Sequence, residues 1–145
     1  MLVHDAIADA IKLAEPHIVP RARVRMLEER VPPVAGDEAR LTQVFLNLLV
    51  NAAEALPEGR ADENTITVST SHEPSGVVRI SIADTGVGIA DEQRARIFDP
   101  FYTTKAIGSG TGLGLSICKG IVEAHGGTIS LESQIGVGTT FSIDL

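Results

Sequence analysis

Two glycine-rich loops of different design constrain this chain more than any other feature of its sequence. The first, Asp84 to Ile89, follows an apolar and β-branched run from Val77 to Ala83, which predicts a strand. The second, Gly108 to Leu115, leads into a run with helical periodicity. Glycine lets backbone N–H groups approach a ligand closely, and a helix N-terminus attracts anions. Together the loops favour a nucleotide site, although each loop alone is as consistent with a simple turn.

Neither loop carries a common phosphate-binding signature. No Lys-Ser or Lys-Thr pair follows the glycines, so neither loop is a Walker P-loop. Neither is followed by the acidic residue, roughly 20 positions on, that completes a Rossmann fingerprint.

Composition limits the class of protein. A chain of 145 residues with 43% hydrophobic and 21% charged residues predicts one globular domain. The net charge of −7 argues against a general nucleic-acid surface or contact with an anionic membrane. A single cysteine, Cys118, excludes an internal disulfide and fits a reducing cytoplasm. No apolar run approaches the roughly 20 residues of a transmembrane helix, and no signal peptide is visible.

Alternating helical and hairpin-linked strand patterns predict an α+β fold, with helices on one face of a mostly antiparallel sheet. Asp37 is the expected N-cap of the longest helix, and Pro16 and Pro20 are expected to end the first helix. The predicted helices cover His4 to Glu15, Glu38 to Leu56, Asp91 to Ile97 and Thr111 to His125. The predicted strands cover Arg23 to Glu28, Thr65 to Thr70, Val77 to Ala83, Thr128 to Ser133 and Thr139 to Asp144.

A strip of polar side chains runs along one face of the longest predicted helix. Its members, Gln43, Asn47, Asn51 and Glu54, are spaced 4, 4 and 3 residues apart. Asparagine is a modest helix former, so two copies one turn apart need a reason. Their amide oxygens suit Mg²⁺ shared with substrate phosphates, or they cap a neighbouring loop.

Asp84 stands where a predicted strand meets the first glycine loop. A carboxylate there can accept a hydrogen bond from an exocyclic amine such as that of adenine, whereas guanine would present a carbonyl and be repelled. The alternative is an aspartate that only starts a turn.

Most of the chain's aromatic residues lie in the segment from Phe98 to Lys105. This segment is either a small satellite core or a hinge or docking surface for a lid. Lys105 is the nearest cation to both glycine loops and could reach a phosphate. Three histidines near loops or helix ends, His17, His72 and His125, are expected to be solvated.

Four ordered motifs resemble those of the bacterial sensor histidine kinases. Asn47 to Ala52 resembles the N box, Asp84 to Ile89 the first glycine box, Phe98 to Phe101 the F box and Gly110 to Leu115 the second glycine box. The resemblance covers nearly all of the chain and implies the catalytic, ATP-binding domain. It also implies the Bergerat fold of the GHKL superfamily, in which helices are layered on a mixed sheet. Residues 101–105 are similar to those of the subclass that includes nitrogen-regulation sensors.

The resemblance implies roles for individual residues. Asn51 is expected to ligate Mg²⁺, Asn47 to orient the metal's water shell or the attacking group, and Asp84 to bind the adenine amino group. Thr139 is expected to help hold a water at the adenine, beside which Gly88 should lie. The other expected nucleotide contacts of the glycine boxes are Gly86, Ile89, Gly110, Thr111, Gly112, Leu113, Gly114 and Leu115.

The same resemblance implies an ATP lid from Phe101 to Gly110, in which Lys105 contacts the phosphates and takes part in catalysis. The implied activity is transfer of the γ-phosphate of Mg-ATP to a histidine on a dimerisation and phosphoacceptor domain, which then supplies a response regulator. The domain is expected in the cytoplasm, without contact to nucleic acid or membrane.

Two departures from the family pattern change these expectations. Glu54 stands where many histidine kinases have Lys or Arg, which puts more weight on Lys105 at the phosphates. His4-Asp5 resembles a phosphoacceptor pair, but the expected proline is missing and the pair lies too close to Asn47. Residues 1–145 are therefore expected to form a single ATPase domain, without its phosphoacceptor and sensor domains.

Two other functions remain open from the sequence. An anti-sigma serine kinase shares the fold and the size, but that family has Glu at the position of Asn47. A regulatory module that binds nucleotide without catalysis is the other, and the complete motif set argues against it.

Overall fold

The structure, a computed structural model, describes residues 1–57, 59–102 and 114–145. It has the predicted α+β architecture, in which helices cover one face of a five-stranded sheet. The helices are α1 (Val3–Ile18), α2 (Glu38–Glu54), α3 (Asp91–Arg94) and α4 (Gly114–Ala124). The strands are β1 (Arg23–Glu28), β2 (Thr65–His72), β3 (Val78–Asp84), β4 (Thr128–Gln134) and β5 (Gly138–Asp144).

The sheet has the strand order β1-β2-β3-β5-β4, with β1 parallel to β2 and the other neighbours antiparallel. This confirms the mixed, mostly antiparallel sheet expected from the sequence. The order places β3 in the middle of the sheet. Its last residue, Asp84, therefore lies centrally in the row of strand ends, opposite Thr139 of β5.

Alternation along the strands separates an apolar face from a polar face. On the inner face, Ile80 and Ile82 of β3 are buried with Phe141 and Ile143 of β5 in one core that also contains the helices. The outer face carries serine, threonine and charged side chains. There the register aligns Ser69, Ser81, Ser142 and Ser130 across four strands. Arg79 donates two hydrogen bonds, of 2.7 and 2.8 Å, to the Asp144 carboxylate and lowers the pKa of that group.

Helix α2 is central to the helical layer because it packs against α1, α4 and the sheet. Asp37 is its N-cap, as predicted, and its carboxylate accepts from the Arg40 backbone N–H at 3.2 Å. The buried face of α2 is an apolar stripe with helical spacing, which consists of Leu41, Val44, Phe45, Leu48, Leu49 and Ala52.

Within the described residues the structure has no helix long and apolar enough to cross a bilayer.

The first helix is longer than predicted. Pro16 lies inside it, and α1 continues to Ile18. A proline near the C-terminal end removes only one late helical hydrogen bond, and Val19 still donates to the Glu15 carbonyl at 3.0 Å. Burial of Ile18, which is 3% exposed, holds the last turn against the core. Helix α3 is shorter than predicted and ends at Arg94.

The prediction that His125 is solvated is wrong. Its Nδ1–H donates to the Ile121 carbonyl at 2.8 Å, and its Nε2 accepts from the Asp37 backbone N–H at 3.0 Å. The neutral ring thus connects the end of α4 to the start of α2. A Cβ on Gly36 would lie 2.5 Å from the ring Cδ2, so the absence of a side chain at Gly36 makes room for the imidazole.

We expect His125→Ala to destabilise the domain by about 1 kcal/mol, the usual net value of lost hydrogen bonds. Gly36→Ala should also destabilise it, because the added methyl group displaces the ring. In the His125→Ala background, Gly36→Ala should cost nothing, because its steric partner is gone. Urea unfolding of the two single variants and the double variant measures this coupling, and His17→Ala, an exposed histidine of α1, is the control. Full additivity of the two single effects would contradict the contact.

Candidate functional site

The last residue of the central strand, Asp84, is a carboxylate with little access to water. It is 8% exposed, and its Oδ1 accepts from the Gly86 backbone N–H at 2.8 Å. Burial raises the pKa of Asp84, while hydrogen bonds from the backbones of Gly86 and Thr139 oppose that shift. The side chain therefore starts a turn, as one interpretation predicted. A carboxylate has a second oxygen, so this turn leaves it able to accept a ligand donor.

Thr139 lies beside Asp84 and is also buried, with 5% exposure. Its Oγ1 lies 2.8 Å from Oγ of Ser133 on β4. Ser133 Oγ also accepts from the Ile89 backbone N–H at 2.7 Å and donates to the Gly138 carbonyl at 3.2 Å. The structure thus brings Asp84, Thr139 and the end of the first glycine loop together through Ser133.

Ser133 was not among the residues predicted for the site. Its sequence signal is weak, because a serine on an alternating strand is ordinary. Only the pairing of β4 with β5, in which Ser133 lies opposite Thr139, reveals its position.

The first glycine loop is fixed from two sides. The Val87 backbone N–H donates to the Ala55 carbonyl at the C-terminal end of α2, at 3.3 Å. On the other side, the Gly136 backbone N–H donates to the Val87 carbonyl at 3.0 Å. The loop therefore connects α2 to the turn between β4 and β5.

The glycines of this region allow backbone segments of the protein itself to approach one another. A Cβ on Gly86 would lie 2.5 Å from the Ala55 carbonyl oxygen. Gly88 has a φ of +80°, and a Cβ there would overlap the Gln134 carbonyl. The sequence interpretation assigned such glycines to close approach of a ligand; at Gly86 and Gly88 the nearest atoms belong to the protein's own backbone.

The polar strip of α2 extends from the glycine loop to α4. Asn47 and Asn51 are half-buried, whereas Gln43 and Glu54 are exposed. The Asn51 carbonyl accepts from the Ala55 backbone N–H at 3.1 Å, and Ala55 in turn binds the loop at Val87. At the other end, the Asn47 Nδ2 donates to Sγ of Cys118 on α4 at 3.6 Å. The two asparagines thus lie between the first glycine loop and α4.

The aromatic segment divides into a packed part and an exposed part. Phe98 meets Phe141 edge to face, with ring centroids 6.2 Å apart, and the Lys119 Nζ lies 5.7 Å from the Phe98 centroid. Phe101 is 75% exposed and has a φ of +66°, which is uncommon for a residue with a bulky side chain. Phe98 is thus partly buried against the main core rather than in a separate satellite core, and Phe101 is exposed.

Part of the predicted site lies outside the described residues. This applies to Lys105, Gly110, Thr111, Gly112 and Leu113, and to most of the predicted lid from Phe101 to Gly110. Their roles stay predictions from the sequence. Of the second glycine box, Gly114 begins α4 and is exposed, while Leu115 packs partly against the core.

Comparison with known proteins identifies the family of this chain. Residues 36–145 match the family described as histidine kinase-, DNA gyrase B- and HSP90-like ATPases. The chain is 46% identical over 115 residues to sensor histidine kinase ZraS of Escherichia coli (strain K12). This alignment covers 79% of this chain and 23% of ZraS. It is 36% identical over 144 residues to the C4-dicarboxylate transport sensor protein DctS of Rhodobacter capsulatus. That alignment covers 97% of this chain and 21% of DctS. The chain thus spans less than a quarter of the length of either relative.

Solved structures give the same result for the fold. The mycobacterial sensor histidine kinase MprB superposes with a TM-score of 0.87 at 25% identity, covering 100% of this chain and 95% of that chain. The nucleotide-free catalytic domain of histidine kinase ThkA superposes with a TM-score of 0.83 at 31% identity, covering 100% and 92%. The chain belongs to the histidine kinase-, DNA gyrase B- and HSP90-like ATPase family, and its relatives and structural neighbours are sensor histidine kinases and their catalytic domains.

Proposed function

We propose that this domain binds Mg-ATP and donates the γ-phosphate to a histidine on a dimerisation and phosphoacceptor domain, for onward transfer to a response regulator in the cytoplasm. The observation that carries the proposal is the buried Asp84 carboxylate, held at the end of β3 between a fixed glycine loop and Thr139. Such an acceptor fits the exocyclic amine of adenine and rejects the carbonyl of guanine.

Mg²⁺ fits the amide strip. Among the described residues no three His, Cys, Asp or Glu side chains converge on a common point. A divalent ion here would depend on amide oxygens, on waters and on the phosphates of the nucleotide. Sharing of the ion with substrate phosphates and waters is usual for Mg²⁺. We assign the metal contact to Asn51 and the orientation of the water shell or attacking group to Asn47. Bound Mg²⁺ supplies charge neutralisation at the phosphates.

The acceptor histidine is proposed to lie on a separate domain, because no histidine of this sequence stands in the context of a phosphoacceptor. His125 has both ring nitrogens bonded to the backbone, and the His4 Nδ1 lies 3.5 Å from Glu28. His17 and His72 lie at the end of α1 and the end of β2. Phosphoryl transfer needs an acceptor in line with the γ-phosphate, so positioning by a partner domain decides the rate. Lys105 is assigned to the phosphates on the sequence alone.

The adenine contact predicts nucleotide selectivity. The chain should bind ATP or ADP with Mg²⁺ about ten- to a hundredfold more tightly than GTP, because a mispaired buried edge costs about 1–3 kcal/mol. Asp84→Asn keeps an acceptor for the Gly86 N–H but presents an amide to the adenine amine, so most adenine affinity should be lost. Calorimetric titration of both proteins with both nucleotides measures this, and equal binding of ATP and GTP by the parent would refute the assignment.

The direction of the Asp84 pKa shift sharpens that test. Since burial raises the pKa of Asp84, protonation removes the acceptor at a higher pH than for an ordinary carboxylate. ATP affinity should be full above that raised pKa and fall as the pH drops through it. The stability of the native state changes with pH in the opposite direction. Because the pKa of Asp84 is raised in the native state, protonated Asp84 stabilises that state, and this stabilisation is lost as the pH rises. Asp84→Asn should therefore raise Tm at neutral pH without nucleotide while it removes most of the adenine affinity.

The metal contact predicts a magnesium-specific defect. Asn51→Ala should weaken ATP binding in Mg²⁺ but leave ATP binding in EDTA nearly unchanged, since the lost amide oxygen matters only to the ion. Gln43→Ala, two turns earlier on the same strip and exposed, is the matched control and should behave like the parent. If Asn51→Ala binds Mg-ATP as the parent does, Asn51 is not the ligand.

The proposed reaction predicts transfer only in trans. Incubated alone with radiolabelled ATP, the chain should form no acid-labile phosphohistidine. With a matching histidine-bearing helical hairpin it should phosphorylate that hairpin, more slowly than a fused protein because the effective concentration of a tether is missing. Lys105→Ala should slow this transfer. Strong self-labelling that survives acid would contradict the proposal and favour serine kinase chemistry.

A further inference from the structure

The contact between α2 and α4 includes a hydrogen bond that fixes one side chain of the proposed site. Cys118 of α4 is fully buried, with 0% exposure. Its Sγ accepts from the Asn47 Nδ2 at 3.6 Å, and the thiol donates to the Val44 carbonyl at 3.9 Å. Sulfur forms longer hydrogen bonds than oxygen, so both distances fit a thiol bridging two positions, one turn apart, on α2.

The contact selects one orientation of the Asn47 amide. A side-chain amide is planar and has its donor nitrogen and its acceptor oxygen on opposite sides. Because Nδ2 faces Cys118, the oxygen Oδ1 is turned away from α4. Without an acceptor on α4, the amide could rotate about its last side-chain bond, and the two orientations would present different groups to a ligand.

The thiol is suited to this task in its neutral form. Burial raises the pKa of Cys118 to about 11, so at neutral pH the group keeps its proton and can both donate and accept. An aliphatic side chain of similar size would fill the same space in the core but offer no acceptor to Asn47. Packing alone therefore does not require a thiol here.

We propose that Cys118 is a positioning residue, which holds the Asn47 amide in the orientation needed for phosphoryl transfer by accepting its Nδ2–H. This inference rests on the proposed function, since it is the transfer reaction that gives Asn47 its role. It predicts that Cys118 acts through Asn47 and has no separate effect on the reaction.

The test uses Cys118→Val, which fills the space without an acceptor, and Cys118→Ser, which restores a polar acceptor. Cys118→Val should lower kcat for transfer to the hairpin about three- to tenfold, the effect of one lost hydrogen bond, and leave KM for ATP within about twofold. Cys118→Ser should recover most of kcat. In the Asn47→Ala background, Cys118→Val should cause no further loss, because its partner is already absent.

The matched control is Val122→Ala, one turn further along α4 and also buried. It should destabilise the domain by creating a cavity and leave kcat unchanged at temperatures where the domain is folded. A purely structural role for Cys118 would make Cys118→Val resemble this control.

The outcomes are distinct. An unchanged kcat in Cys118→Val, or losses that add fully to those of Asn47→Ala, would overturn the proposal while leaving the proposed function intact. If the parent neither binds Mg-ATP nor labels the hairpin, the proposed function fails and the positioning role fails with it.

The side-chain amide NMR signal of Asn47, recorded without nucleotide, tests the contact with Cys118 independently of the proposed function. It should shift in Cys118→Val and return toward the parent position in Cys118→Ser; no shift in Cys118→Val would show that the contact itself is wrong.

Discussion

The site depends on the two-sided attachment of the loop that follows β3. One hydrogen bond joins Val87 to the end of α2, and another joins it to the turn between β4 and β5. With Ile89 bound to Ser133, the loop has little freedom relative to the sheet or to α2. Asp84 and the α2 asparagines are consequently held in one frame, although they are separated by more than 30 positions in the sequence.

This frame has a cost in stability. Close backbone packing requires glycine at Gly86 and Gly88, and glycine loses more conformational freedom on folding than other residues. Burial of Asp84 disfavours its charged form, which an adenine contact needs. The glycines serve the close backbone packing that holds the loop. The buried carboxylate, in contrast, fits a ligand site, because binding can offset an unfavourable buried charge.

The features that were predicted correctly depend on residues close together in the sequence. The apolar stripe of α2 and its Asp37 cap follow from periodicity and capping, and both are observed. The predicted bounds of β1 also agree with the structure. The missed features depend on partners distant in sequence. Ile18 keeps α1 helical beyond Pro16 by entering the core, and His125 finds the Asp37 backbone 88 positions away. Ser133 and Cys118 look ordinary until strand pairing and helix packing bring them to Thr139 and Asn47.

Binding of Mg-ATP at the end of β3 is best tested by titrating the isotopically labelled domain with Mg²⁺ and a non-hydrolysable ATP analogue, followed by NMR. We expect saturable shifts at Asp84, Gly88, Thr139 and the side-chain amide of Asn51, with Ser69 and Ser130 on the outer face of the sheet unchanged. The corresponding GTP analogue should produce much weaker shifts at Asp84. Shifts confined to the outer face, or equal responses to both analogues at Asp84, would show that Asp84 does not recognise adenine.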